Sequence, residues 1–204
     1  MYKNLQYIVK NNIQGDIVEC GVWRGGMMQL AALTLTHLGD QSRKIYLYDT
    51  FDGMPEPEDR DISCDGSSAH LAWKKANDKG LKWGFGATLD EVRSTLLSTG
   101  YPQDKMVFVK GMVEDTIPDT LPDKHVAILR LDTDLYKSTY HELLHLFPRL
   151  VVGGILVVDD YGYCLGAREA TDKYIADNNI IMLLTRVNLS VHQGVKLEDT
   201  SLQY

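Results

Sequence analysis

A chain of 204 residues suits one domain with a full core and leaves little room for a second. Lys plus Arg number 21 against 28 Asp plus Glu, a formal charge of −7, which argues against nucleic acid or an anionic membrane as the main partner. Cys20, Cys64 and Cys164 form no C-x-x-C and no even set, so neither a disulfide framework nor a zinc site is indicated, and a reducing, cytoplasmic compartment is expected. The opening MYKNLQYIVKNN lacks the apolar core of a signal peptide, and no run reaches the roughly 18 apolar residues of a membrane span.

Helical spacing predicts a first helix over 2–12. A short strand, DIVECG (16–21), leads into an apolar helix over 26–39 that Gly39 stops. KIYLYD (44–49) is a second strand. The pattern then lapses into prolines, acids and turn formers. This predicts a lid-like insertion at about 53–86, with a short helix around 69–78. A helix follows over 88–100, with Thr88 as cap and Glu91 three residues on as its partner. Strands are predicted at 105–111 and 125–132, then a helix over 135–150, a strand at 154–160 and a helix over 167–179. Two last strands, 180–186 and 189–196, are joined too tightly for a parallel crossover and must pair antiparallel. Strands alternating with helices imply an α/β domain, a mostly parallel sheet covered on both faces. Gly21, Asp49, Gly111, Asp132 and Asp159 all fall at strand carboxyl ends, where such sheets bind ligands.

VECGVWRGG (18–26) matches neither G-x-G-x-x-G nor a P-loop. Any strand–turn–helix unit carries glycines such as Gly21 and Gly25, so Glu19 is the informative residue. A carboxylate repels a pyrophosphate but suits a cationic amine or sulfonium, and S-adenosylmethionine has both. Glu19 can instead pair with a lysine of the protein. Asp49, ending the second strand, is placed to accept hydrogen bonds from ribose hydroxyls.

Two further strands run into paired acids, Asp132 with Asp134 and Asp159 with Asp160. An unpaired buried carboxylate is costly, so a positive charge is expected between them. Oxygen ligands without a Cys/His cluster suit a hard cation, Mg²⁺ or Mn²⁺. Asp134 could also cap the following helix. Arg130, inside the fourth strand, is expected to reach an acid at the sheet's edge. His141 and His145 share a helix face without a zincin context. Trp73, Trp83 and Phe85 read as lid packing, and Cys164 as an inert thiol near the site.

VECGVWRGG, YDTFDGMPEP (48–57), VKGMVEDTIP (109–118), ILRLDTDLYKSTY (128–140) and LVVGGILVVDDYG (150–162) occur in this order over about 145 residues. In these motifs the chain resembles the macrocin O-methyltransferase family, metal-dependent sugar O-methyltransferases of natural-product biosynthesis. The resemblance implies a class I methyltransferase (Rossmann-like) fold with seven strands and an antiparallel C-terminal strand, as one domain over 1–204. It implies metal ligands at Asp132, Asp159 and Asp160, and a general base at Asp134. Donor contacts are implied at Glu19, Gly21, Gly25, Asp49, Phe51, Met112, Val113 and Asp132. The expected reaction is Mg-dependent methyl transfer from S-adenosylmethionine to a hydroxyl of a vicinal diol on a small sugar, polyol or catechol. A homo-oligomer is possible. The chain departs from the family's usual pattern in three ways: about 15 residues precede the first strand, Met27 follows the double glycine, and SVHQGVK stands in place of an aromatic-rich last strand. An inactive donor-binding module is the competing reading. A nucleotide-dependent oxidoreductase is opposed by Glu19 and by the missing G-x-G-x-x-G.

Overall fold

The computed structural model describes residues 1–123 and 125–198; Lys124 and 199–204, the end of the expected 1–204 domain, lie outside the described residues. Seven strands form one sheet in the order β3-β2-β1-β4-β5-β7-β6. They are β1 (Asp16–Cys20), β2 (Ile45–Asp49), β3 (Met106–Lys110), β4 (Val126–Leu131), β5 (Leu150–Val158), β6 (Thr185–Arg186) and β7 (His192–Val195). The first five run parallel because helical crossovers return the chain each time. β7 pairs antiparallel with both β5 and β6, as expected for a class I methyltransferase sheet.

Helices cover both faces. On one, α1 (Tyr2–Lys10), α2 (Gly26–His37) and α4 (Leu89–Leu97) bury Leu5, Ile8, Met28, Leu35, Val92 and Leu96 against Ile17, Ile45 and Ile128. On the other, α5 (Val113–Thr116), α6 (Tyr136–Leu146) and α7 (Leu165–Asp177) bury Val113, Leu143, Leu146 and Tyr174 against Val18, Leu129, Leu156 and Val158. Successive strand residues alternate between these two layers, so a side chain's parity decides which layer it joins. Among the described residues no helix is long and apolar enough to cross a membrane.

The expected 53–86 insertion contains α3 (Ala69–Asn77), which buries none of its residues. Its flanks are laced to the body. Met54 N donates to Trp83 O at 2.8 Å, Cys64 N to Tyr163 O at 2.7 Å, and Leu165 N to Ile62 O at 2.8 Å.

Four expectations needed correction. The helix predicted over 135–150 ends at Leu146 and passes through one 3₁₀ turn, because Pro148 lacks the N–H that an α-helix would need there. β5 therefore begins at Leu150 rather than at 154. The short α5 follows β3 without having been predicted; four residues carry no readable period. The strand predicted over 180–186 pairs only at Thr185 and Arg186, opposite Gln193 and His192 of β7. Ile181 and Leu183 stay exposed.

Candidate active site

The sheet's register assembles the site. Glu19 of β1 lies directly beside Arg130 of β4, and Arg130 beside Val157 of β5. Two residues beyond Arg130 and Val157 come Asp132 and Asp159, on the same face as their predecessors. Four charged side chains therefore converge where three strands end. One guanidinium nitrogen of Arg130 donates to Glu19 Oε1 and to Asp132 Oδ2, each at 2.6 Å, and the other pairs with Asp159. Arg130 is buried. It thus reaches three acids at the centre of the sheet's carboxyl end, not one at an edge. The sequence signal was an arginine inside an otherwise apolar strand, two residues before an aspartate.

Glu19 thus pairs with a cationic side chain of the protein, an arginine rather than the lysine expected as its alternative partner. The carboxylate is 1% exposed and does not reach the cavity described below. Burial pushes it up to about 7, because the Arg130 charge is shared among three acids and offsets only part of the desolvation. Burial raises Asp132 for the same reason.

Asp132, Asp159 and Asp160 each offer an oxygen, and these atoms lie within 4.8 Å of one another. Asp160 Oδ2 is buried and has no hydrogen-bond partner among the described residues. An all-oxygen set with an orphaned buried carboxylate atom fits a hard divalent cation. Asp134 follows in a turn with φ of 65°, a left-handed conformation rare outside glycine. Burial raises the Asp134 carboxyl above the ordinary range, while a hydrogen bond from Asp160 opposes that rise. Asp160 is raised too, by burial and by the facing Asp134 charge. Cys164 Sγ lies 3.9 Å from Asp134 Oδ1, and burial plus these acids hold the thiol protonated.

Asp134 does not cap α6. The N-cap residue is Leu135, with no side-chain cap, and Tyr136 N instead donates to Asp61 Oδ1 at 2.8 Å. Asp61 comes from the lid, 75 residues earlier in the chain. Sequence reading missed it, since one acid among the many of that loop carries no periodic signal.

A cavity of about 350 Å³ opens beside the acids. Gly21, Asp49, Gly111, Met112, Val113, Asp132 and Asp134 line it, together with Trp23 and the lid residues Met54, Pro55 and Gly84. Gly21 is obligatory. A Cβ there would sit 1.9 Å from the Asp132 carbonyl oxygen, and φ is 81°. Asp49 is placed at the wall, but its carboxylate also works for the backbone. Oδ2 accepts from Val22 N at 2.7 Å and Trp23 N at 2.9 Å, and Oδ1 from Phe51 N at 2.7 Å. Two of the expected donor contacts lie elsewhere. Phe51 turns into the apolar core, and Gly25 does not line the cavity; a Cβ there would come within 3.0 Å of Val92 and Leu96. Asp159 and Asp160 stand beside the cavity rather than on its wall.

Beneath the cavity floor, Glu142 of α6 is fully buried. Its Oε1 accepts from Thr133 Oγ1 at 3.0 Å, and its Oε2 has no partner among the described residues. His141 and His145 lie side by side with their rings tilted by 53°, and His141 Nε2 is 2.9 Å from Ile117 O.

A family model described as Macrocin-O-methyltransferase (TylF) matches residues 1–192. The chain is 35% identical over 175 residues to the 8-demethyl-8-(2,3-dimethoxy-alpha-L-rhamnosyl)-tetracenomycin-C 4'-O-methyltransferase of Streptomyces olivaceus, covering 84% of this chain and 63% of that protein. It is 34% identical over 175 residues to the demethyldecarbamoylnovobiocin O-methyltransferase of Streptomyces niveus, covering 85% and 63%. The chain thus spans less than two thirds of the length of these curated relatives. The solved structure of the O-methyltransferase NovP superposes with a TM-score of 0.81 at 28% identity, covering 97% of this chain and 78% of that one.

Proposed function

We infer the reaction from one premise: the chain belongs to the macrocin O-methyltransferase family. It moves the sulfonium methyl of S-adenosylmethionine to one hydroxyl of a vicinal diol on the sugar of a natural product or on another small polyol. The rhamnosyl group in the name of the Streptomyces olivaceus relative supports a sugar acceptor. The observation that carries the reading is Asp134, a half-buried carboxylate in a left-handed turn on the cavity wall, beside three acids that fit a divalent cation.

Asp132, Asp159 and Asp160 would hold Mg²⁺ or Mn²⁺. When bound, such a cation supplies charge that polarises and orients a hydroxyl. The protein's own groups do the rest. Gly21 and Asp132 form the wall where the donor's sulfonium end fits. Asp49 fixes the glycine turn and the 50–53 turn together, and its remaining lone pairs suit ribose hydroxyls. Met112 and Val113 give the cavity apolar surface. Met54, Pro55 and Gly84 of the lid exclude water from it. Asp134 takes the acceptor's hydroxyl proton as the oxygen attacks the methyl in line. The sulfur keeps the electron pair of the broken bond, leaving S-adenosylhomocysteine. A free Asp, with a pKa of about 3.9, is a weak base for an alcohol, and the burial of Asp134 narrows that gap.

The test is incubation with S-adenosylmethionine and a panel of glycosides and catechols with adjacent free hydroxyls, in Mg²⁺, in Mn²⁺ and in chelator, read by mass spectrometry. A gain of one methylene that the chelator abolishes is expected. Binding of S-adenosylhomocysteine without transfer to any acceptor would favour the inactive donor-binding reading.

A further inference from the structure

The three acids that fit a cation are not all free in this structure. Two of them, Asp132 and Asp159, already share the Arg130 guanidinium, which also holds Glu19. The register of β1, β4 and β5 fixes this arrangement, so the arginine cannot be a passing surface contact. Its rigid planar fork sets one nitrogen between Glu19 and Asp132 and the other at Asp159, a spread that a lysine's single ammonium nitrogen does not have.

We propose that Arg130 is the internal counter-ion that sets the cation affinity of this site. This rests on the divalent-cation reading above. Without the cation, the guanidinium offsets the repulsion among Glu19, Asp132 and Asp159 and holds two of the ligand carboxylates in place. An arriving cation competes with it for Asp132 Oδ2 and Asp159 Oδ1. The guanidinium then rests mainly on Glu19, its in-register neighbour. Glu19, which does not reach the cavity, thereby gains a role: it keeps Arg130 charged and anchored while the aspartates change partner. The site binds its cation more weakly than three unencumbered carboxylates would, and the cation remains exchangeable.

The experiment is calorimetric titration of Mn²⁺ into the wild type and into the double variant Glu19→Gln/Arg130→Met, which removes one charge of each sign. Loss of the competing guanidinium should tighten Mn²⁺ binding by roughly tenfold, within the usual range of coupling between neighbouring sites. Thermal melts in chelator should show the double variant less stable than the wild type, with Mn²⁺ recovering most of the loss. A purely structural arginine would cost stability equally with and without Mn²⁺ and leave its affinity alone. Arg130→Lys keeps the charge and loses the fork, so it should bind Mn²⁺ a few-fold more tightly than the wild type, and it carries the test alone if the double variant does not fold. Unchanged or weaker Mn²⁺ affinity in these variants overturns the proposal. Absence of Mn²⁺ binding by the wild type itself would instead remove the cation reading on which it rests.

Discussion

Asp134 joins a left-handed backbone to a half-buried carboxyl whose proton affinity is raised. Asn tolerates φ above zero nearly as well as Asp, so Asp134→Asn changes the chemistry and leaves the turn intact. Methyl transfer should fall by about 10²–10⁴-fold, the usual worth of a general base, while stabilisation by Mg²⁺ persists. Transfer at the wild-type rate would exclude Asp134 as the base. Glu142 gives a second prediction at this scale. Burial raises its pKa in the folded state, so folding favours the protonated form. Its contribution is therefore fully present below the unfolded pKa of about 4.3 and is lost as pH rises toward the folded value. Glu142→Gln keeps a partner for Thr133 and has no proton to lose. Chemical denaturation from pH 5 to 8 should show the variant losing less stability per pH unit, by up to about 1.4 kcal/mol. Parallel slopes would mean that Glu142 is already ionised in the folded protein. The carboxylates of both motifs could be read from the sequence because acids at the ends of apolar strands stand out. Arg130 was visible but its partners were not, since they depend on which strand lies beside which.

At the scale of elements, the capping box of Thr88 and Glu91 is present as local pattern implied, because both partners lie within one turn. The cap of α6 is the opposite case. Asp61 also accepts from Glu58 N at 2.8 Å, and Gly166 of α7 leaves it room, since a Cβ there would come within 2.2 Å of Asp61 Oδ1. One carboxylate thus ties the 53–86 insertion to the first turn of α6 and lies against the first turn of α7, across distances no sequence window spans. Asp61→Ala should cost about 0.5–2 kcal/mol through the lost cap. It should also speed proteolytic cleavage within 54–68 and weaken S-adenosylhomocysteine binding. Unaltered cleavage rates would show that the lid is held by its backbone contacts alone. The short α5 escaped prediction, and the strand predicted over 180–186 shrank to β6, because each is fixed by its neighbours rather than by its own period.

For the molecule as a whole, a ligand that binds only the folded state stabilises it by an amount set by its concentration over Kd, about 2.7 kcal/mol at a hundredfold excess. Millimolar Mg²⁺ or Mn²⁺ should therefore raise the melting temperature, and Asp159→Asn and Asp160→Asn should each shrink that rise. A wild type with no divalent-dependent shift, with S-adenosylhomocysteine also present, would count heavily against the cation site. The overall architecture was legible because alternating strands and helices leave few ways to wind a sheet. The shape of the cavity was not, because it is walled by lid and turns whose conformations follow distant contacts. The alignment of Glu19 with Arg130 has one more consequence, for how the sheet finds its pairing. If β4 slid by one position against β1 and β5, Arg130 and Asp132 would turn toward the layer now filled by Leu129, Leu131 and Leu143. Glu19 and Asp159 would be stranded on the other side. Misaligned sheets would carry buried, unmatched charges and be rejected early, so the same four residues that build the site also proofread the fold.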